Sequence, residues 1–270
     1  MIWVILTVLG LCAGSFVSAV VWRVRQQERG KQKLSILKGR SQCPHCHHPL
    51  AWHDLIPLLS WLSLRGRCRY CGEPISWQYP LIELAMVAVF TVSYAYYPGG
   101  VYGIGDWVLL ITGLLTSVGL LALLIYDLRW MVLPNRIIYP TLAIAVVGRL
   151  IYLISFETDV DKAIASWVLS ILVASGFFWL IFMTSSGKWI GYGDVRLGLI
   201  TGTILADPIL SLLMIFVASV LGSLVALPLL VSGRKHIGSR LPFGPYLIAA
   251  TFLVLIFGQT VINNYKRLLE

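Results

Sequence analysis

Charge is what this chain has least of. Only 12 of its 270 residues are acidic, and charged residues of both signs make up 12%, against about a quarter in a soluble globular domain. So little charge cannot clothe a large water-facing surface, which excludes an ordinary soluble fold. Short strands of alternating polarity are absent as well, which excludes an outer-membrane barrel. No basic residue precedes the first apolar run, and the nearest ones follow it at Arg23 and Arg25. That is the reverse of a cleaved secretory signal and reads as a retained helix with an external N-terminus. Low-complexity tracts, a glycine-rich nucleotide loop and a convincing internal repeat are missing too.

What the chain has is apolar length. It is 58% hydrophobic, and stretches such as Ile2–Trp22, Trp107–Tyr126 and Pro208–Gly233 run without a charge. About 20 such residues span a bilayer core as helix. The fold class expected is an all-α polytopic membrane protein of about eight transmembrane helices, near 2–22, 79–98, 106–127, 136–156, 163–186, 189–206, 208–231 and 242–262. The sixth is the short one, barely a span. Charge placement favours its crossing. With the N-terminus outside and all eight helices crossing, all but Arg149, Lys162, Lys266 and Arg267 of the 21 Lys and Arg fall on the cytoplasmic side. A net charge of +9 then reads as topology and attraction to anionic lipid. Arg29, Lys31, Lys33, Lys38 and Arg40 follow a membrane helix directly, and no nucleic-acid partner is implied.

The expected organisation is a first transmembrane helix at 1–22, a cytoplasmic insertion at 23–78 and a membrane bundle at 79–270. The insertion holds four of the five cysteines, as "CPHC" (Cys43, Cys46) and "CRYC" (Cys68, Cys71). Two C-x-x-C pairs fit two knuckles donating four thiolates to one tetrahedral, structural Zn²⁺. A disulfide reading is disfavoured in the cytoplasm. His45, His47, His48 and His53 lie nearby, but four thiolates already complete the set. Cys12 reads as a small packing residue in the first helix. "LIPLLSWLSL", Leu55 to Leu64, is too apolar for a free loop and too short to span. It is expected to pack on the zinc module or to rest in the membrane interface.

Two acids stand apart from this pattern. Asp127 closes the third helix, before Pro134–Asn135, and Asp194 sits in "WIGYGDVRLG". Two helices separate them, and an even number of crossings brings both to one face, the cytoplasmic one. Acids at membrane depth are functional candidates. Two brought together share a proton, because like charges a few Å apart do not both ionise. One then activates water and the other polarises a peptide carbonyl, which is the chemistry of an aspartic protease. Gly191 and Gly193 leave room for substrate backbone or the partner acid. Taken singly, each acid has a plainer reading: Asp127 as a cap paired with Arg129, Asp194 paired with Arg196 or Lys188. A transporter's ion path, or a zinc-bearing membrane scaffold, is the other reading of the pair. Related halves with matching broken helices would favour a transporter, and none are visible.

"GYGD" and the D-x6-PN run at Asp127–Asn135 resemble the two active-site motifs of bacterial prepilin peptidases, membrane aspartyl proteases of the GxGD type. "GSFVSAVVWRV" (14–24) is similar to that family's first helix. "RSQCPHC", "WHDLIPLLSWLSLRGRCRYC" and "ISWQYPLIEL" resemble its cytoplasmic domain, and "PFGPYL" (242–247) its last helix. The resemblance implies a bacterial inner-membrane enzyme that cuts the basic leader from type IV prepilins and type II secretion pseudopilins after a glycine. It also implies N-methylation of the new N-terminal residue from S-adenosylmethionine. It makes Asp127 and Asp194 the catalytic pair and Cys43, Cys46, Cys68 and Cys71 the zinc ligands. One departure is Arg196, where the family often has lysine. No motif marks a methyl-donor site. Glu73 and Glu83 are the candidates for that chemistry, and Asp54 and Glu73 the acids that could meet a basic leader.

Overall fold

The structure is a computed structural model of the chain, and it describes all residues except 31–34, 36–38, 98–99, 234–240 and 270. The basic residues Lys31, Lys33, Lys38, Arg234, Lys235 and Arg240 therefore lie outside the described residues. The regular elements of the described residues are helices, with two isolated β-bridges. The helices are α1 (Ile2–Glu28), α2 (Leu59–Ser63), α3 (Gln78–Ala95), α4 (Ile104–Trp130), α5 (Asn135–Phe156), α6 (Val160–Thr184), α7 (Tyr192–Leu205), α8 (Pro208–Val231) and α9 (Gly244–Leu269). Seven of them, all but α2 and α7, are long and apolar enough to cross a membrane. α1 runs past the apolar stretch to Glu28, because Arg, Gln and Glu are good helix formers.

The chain forms two compact units, Met1–Ala95 and Tyr96–Glu270. In the first, α1 packs along α3. The contact is close because Gly10 and Gly14 face it. A Cβ on Gly14 would lie 2.5 Å from the Glu83 Cα, and one on Gly10 2.8 Å from the Val87 Cα. Lipid offers no hydrophobic drive for helix association, so close backbone approach at small residues supplies it.

In the second unit the helix ends are set by local chemistry. Asp207 accepts from Ile209 N–H (2.7 Å) and Leu210 N–H (3.1 Å) ahead of Pro208 in the first turn of α8, an N-cap with proline where its missing N–H costs nothing. Asp106 reaches back to the N–H groups of Tyr102 and Gly103 at the start of α4. α4 ends when Met131 turns left-handed and donates its N–H to the Asp127 carbonyl (2.8 Å). Pro134 then caps α5.

α7 answers to the expected 189–206 helix but has 14 residues, about 21 Å long. It is enclosed by protein: nine of its residues are buried, against five of the 24 in α8. Gly198 and Gly202 press on the α6 backbone, with Cβ positions 2.8 Å from the Ser175 Cα and 2.9 Å from the Ile171 Cα. Serines of α6 stitch the pair. Ser166 donates to the Ala206 carbonyl (3.0 Å), Ser170 to Gly202 (2.8 Å) and Ser175 to Val195 (2.9 Å). The register is antiparallel, from the C-cap of α7 at Ala206 back to its first turn at Val195.

Candidate active site and metal centre

Asp127 lies in the last turn of α4 and Asp194 in the first turn of α7, 5% and 8% exposed. The fold brings them together, close enough for the charge of Asp127 to act on Asp194. The paired-cation readings fail. Arg196 donates to the Tyr192 carbonyl (3.4 Å) and lies over the Tyr192 ring, and Arg129 lies over Trp130. Among the described residues neither aspartate has an ion-pair partner.

Each carboxylate instead meets a helix N-terminus, the end where the helix dipole favours an anion. Asp194 receives the Gly191 N–H, and Asp127 receives the Gly244 N–H at the start of α9. Gly244 is the residue whose bare backbone admits Asp127: a Cβ there would sit 2.6 Å from Oδ2. The role expected of Gly191 and Gly193 is thus redistributed. A Cβ on Gly193 would meet the Leu133 side chain at 3.1 Å, and one on Gly191 would stand 3.8 Å from Asp194's own Oδ2. Leu133 also lies near Gly244, so one leucine from the α4–α5 turn packs beside both glycine sites. Gly244 was visible only as a glycine between "PF" and "PYL", and nothing in the sequence ties it to Asp127.

The second centre lies wholly in the first unit. The Sγ atoms of Cys43, Cys46, Cys68 and Cys71 all lie within 4.8 Å of one another, and Cys43 and Cys71 are 3.9 Å apart. A tetrahedral Zn²⁺ with bonds near 2.3 Å spaces its sulfurs at about 3.8 Å, so the donor set fits a metal ion. Burial opposes ionisation of Cys68, but hydrogen bonds from the Cys71 and Tyr70 backbone bring its thiol down to about 7, within reach of the thiolate a metal needs.

The knuckles are two copies of one structure, an internal repeat that the sequence reading missed. Residues 41–50 and 66–75 form the same ladder. Cys43 N–H bonds the His48 carbonyl (3.1 Å) as Cys68 N–H bonds Glu73 (2.8 Å). Leu50 bonds Ser41 (2.8 Å) as Ile75 bonds Gly66 (2.7 Å). The bridges Gln42–Pro49 and Arg67–Pro74 match, and so do the left-handed residues His47 (φ 58°) and Gly72 (φ 72°). "SQCPHCHHPL" and "GRCRYCGEPI" share only the cysteines and one proline, too few identities to signal the repeat.

Asp54 clamps the second copy to the segment that directly follows the first. It accepts from Arg69 Nε (2.8 Å), the Tyr70 hydroxyl (3.0 Å) and Ala51 N–H (3.2 Å). Burial raises its pKa, but these bonds and the nearby His53 outweigh that and hold the carboxyl below its ordinary value. Its side chain is 3% exposed, so it is not free to meet a basic leader. His48 stacks on Tyr70, ring centroids 3.7 Å apart. Of Leu55–Leu64, Trp61 packs inward on Trp77 and donates to the Ile75 carbonyl (3.2 Å), while Leu55, Leu59 and Leu62 are exposed. Cys12 is exposed rather than packed.

The molecule is thus a multi-pass helical membrane protein with a paired-carboxylate site and a four-thiolate site. Its residues 8–97 match the bacterial peptidase A24 N-terminal domain, and residues 114–227 match the type IV leader peptidase family. A protein from Aeromonas hydrophila named prepilin leader peptidase/N-methyltransferase is 34% identical over 86% of this chain and 76% of its own length. Proteins of the same name from Stutzerimonas stutzeri (30% identical; 96% and 91% covered) and Bacillus subtilis (29%; 98% of each) also match. No solved structure matches. The chain belongs to the type IV leader peptidase family.

Proposed function

We propose that this protein is an aspartyl endopeptidase that removes the basic leader of type IV prepilins and type II secretion pseudopilins after a glycine, and then N-methylates the residue exposed. Asp127 and Asp194 are the acid–base pair. The ionised one activates the attacking water, and the protonated one polarises the scissile carbonyl and protonates the leaving amine. The observation that carries this is the meeting of two buried carboxylates from helices far apart in sequence, each on a helix N-terminus and neither with an ion-pair partner among the described residues.

Zn²⁺ held by Cys43, Cys46, Cys68 and Cys71 is structural. Four thiolates leave no open position, so the metal supplies a fixed knuckle geometry and no water for hydrolysis. The excess of basic residues on one side supports a periplasmic N-terminus, with the cutting face and zinc module on the cytoplasmic side of the bacterial inner membrane. A prepilin is itself an apolar helix with a cytoplasmic leader, so its cleavage site reaches the inner membrane surface. The test is mass spectrometry of a pilin co-expressed with this protein. Leader loss with gain of one methyl group is expected, and an uncut pilin beside well-expressed protein overturns the reading.

A further inference from the structure

A cavity of about 310 Å³ opens within the first unit, walled by α1, α3, α2 and both cysteine knuckles. That is the size at which small-molecule sites begin. Its walls carry both signs of charge and aromatic surface: Glu83 and Glu73, Arg23, Trp61 and Tyr79.

Glu83 is the unusual member. It sits in a helix of membrane-spanning character and is 7% exposed. Its carboxylate accepts the Leu58 N–H (2.8 Å) and a hydrogen bond from the Ser15 side chain. Both partners are neutral. A buried carboxylate is costly without a countercharge; Glu83 has no ion-pair partner among the described residues, and it lines a cavity that a cation can enter. Neutral hydrogen bonds fix its direction, and a cationic ligand would supply the missing charge.

We propose that this cavity is the methyl-donor site, with Glu83 facing the cationic sulfonium end of S-adenosylmethionine. The proposal rests on the methyltransferase reading given above. The donor is a nucleoside with a tail carrying a sulfonium, an ammonium and a carboxylate. Glu83 answers the cations. Arg23, anchored on the Gly39 carbonyl (2.8 Å), answers the carboxylate. Trp61, locked in place by its bond to Ile75 and its contact with Trp77, offers a fixed aromatic surface to the base. Glu73 answers the ribose hydroxyls. In the transfer, the neutral amine of the newly cut substrate attacks the methyl carbon. A C–N bond forms, the S–CH₃ bond breaks with its electron pair left on sulfur, and the amine's surplus proton passes to water. The zinc module gains a stated purpose: Cys43 and Cys68 help line this cavity, so the metal holds one wall of it.

The experiment uses the full-length, zinc-loaded protein in nanodiscs and labelled S-adenosylmethionine. Equilibrium dialysis measures binding, ultraviolet crosslinking followed by peptide mapping locates it, and a pre-cut pilin reports methyl transfer. Crosslinks are expected within residues 15–83. Glu83→Gln should weaken binding at least about tenfold, the range for losing a charge-assisted contact, with zinc content unchanged. Ala19→Leu, which fills the cavity from α1, should weaken it as well. Crosslinks confined to residues 96–270, or wild-type affinity in both variants, overturn the cavity assignment while a methylating wild type leaves the methyltransferase reading standing. A wild type that neither binds the donor nor methylates pre-cut pilin overturns that reading, and the assignment with it. The crosslinking map needs no variant, so a misfolded mutant does not block the decision.

Discussion

The two units solve the problem of holding polar groups in an apolar chain in different ways. The first builds its four-cysteine cluster, which could hold a metal ion, from near neighbours. Each knuckle closes within ten residues, His48 of one copy stacks on Tyr70 of the other, and Asp54 fastens the second copy to the segment after the first. The second builds its carboxylate pair from α4, α7 and α9, whose contributing residues Asp127, Asp194 and Gly244 are far apart in the chain. A local site can be read from spacing, whereas an assembled one depends on helices packing to within a methyl group of the intended distance.

The sharpest way to break the comparison is at the carboxylates. Asp127→Asn and Asp194→Asn are each expected to lower leader cleavage at least about 10³-fold, within the range for acid–base groups, with the protein still in the membrane. The double variant should be no worse than either single one, since a pair acts as a unit. Gel-shift assays of leader removal would read this, and near-normal cleavage by one single variant would end the aspartyl mechanism.

Next comes the packing that assembles the pair. Gly244→Ala places a Cβ 2.6 Å from Asp127 Oδ2 and should cost about 100-fold in cleavage through misplacement alone. Zinc content and methylation of a pre-cut pilin should be untouched. A fully active Gly244→Ala enzyme would mean that Asp127 reaches its working position without this contact.

Replacing Cys68 and Cys71 together with serine tests the local site. Zinc measured by metal analysis should be lost, and methylation should fall at least about tenfold because the fold of the knuckles depends on the metal. Cleavage should be largely kept. Cleavage lost while a pre-cut pilin is still methylated would reverse the assignment of activities. Loss of both, with protein still in the membrane, would make the zinc module a brace for the cutting site.

The smallest effect belongs to the clamp. Asp54→Asn should speed zinc release to a chelator by about threefold, since a partly exposed ion pair contributes little. The sign with pH follows from its depressed pKa. Its stabilisation is present above the ordinary carboxyl value of 3.8 and is lost only as pH falls through the lower folded value. Wild type and variant should therefore differ by the same factor from pH 7 down to pH 5. Rates that converge within that window would show that Asp54 does not carry the clamp.

How far the chain could be read in advance follows the same division. Long charge-free runs led to an expectation of about eight membrane helices, and seven helices have the length and composition of spans, because the bilayer sets a length that composition must meet. The four cysteines announce a metal site by spacing. Crossing parity puts Asp127 and Asp194 at one end of the bundle, yet parity gives no distance. Gly244, Leu133 and the serines of α6 stayed hidden because their work is shape: a missing Cβ or a hydroxyl reaching one carbonyl leaves no periodicity. α7 was hard to bound for a related reason. Its 14 residues are enclosed by protein rather than facing lipid, so the usual yardstick of about 20 residues does not apply.

The contact between Gly244 and Asp127 also bears on timing. A ribosome delivers Asp127 and then Asp194 to the membrane while α9 is still unmade. Until residue 244 arrives, Asp127 lacks its N–H donor and the wall that fixes its carboxylate. The proposed cutting site would therefore be unfinished through most of synthesis, and a nascent chain beside other apolar helices in the insertion machinery would carry no working blade.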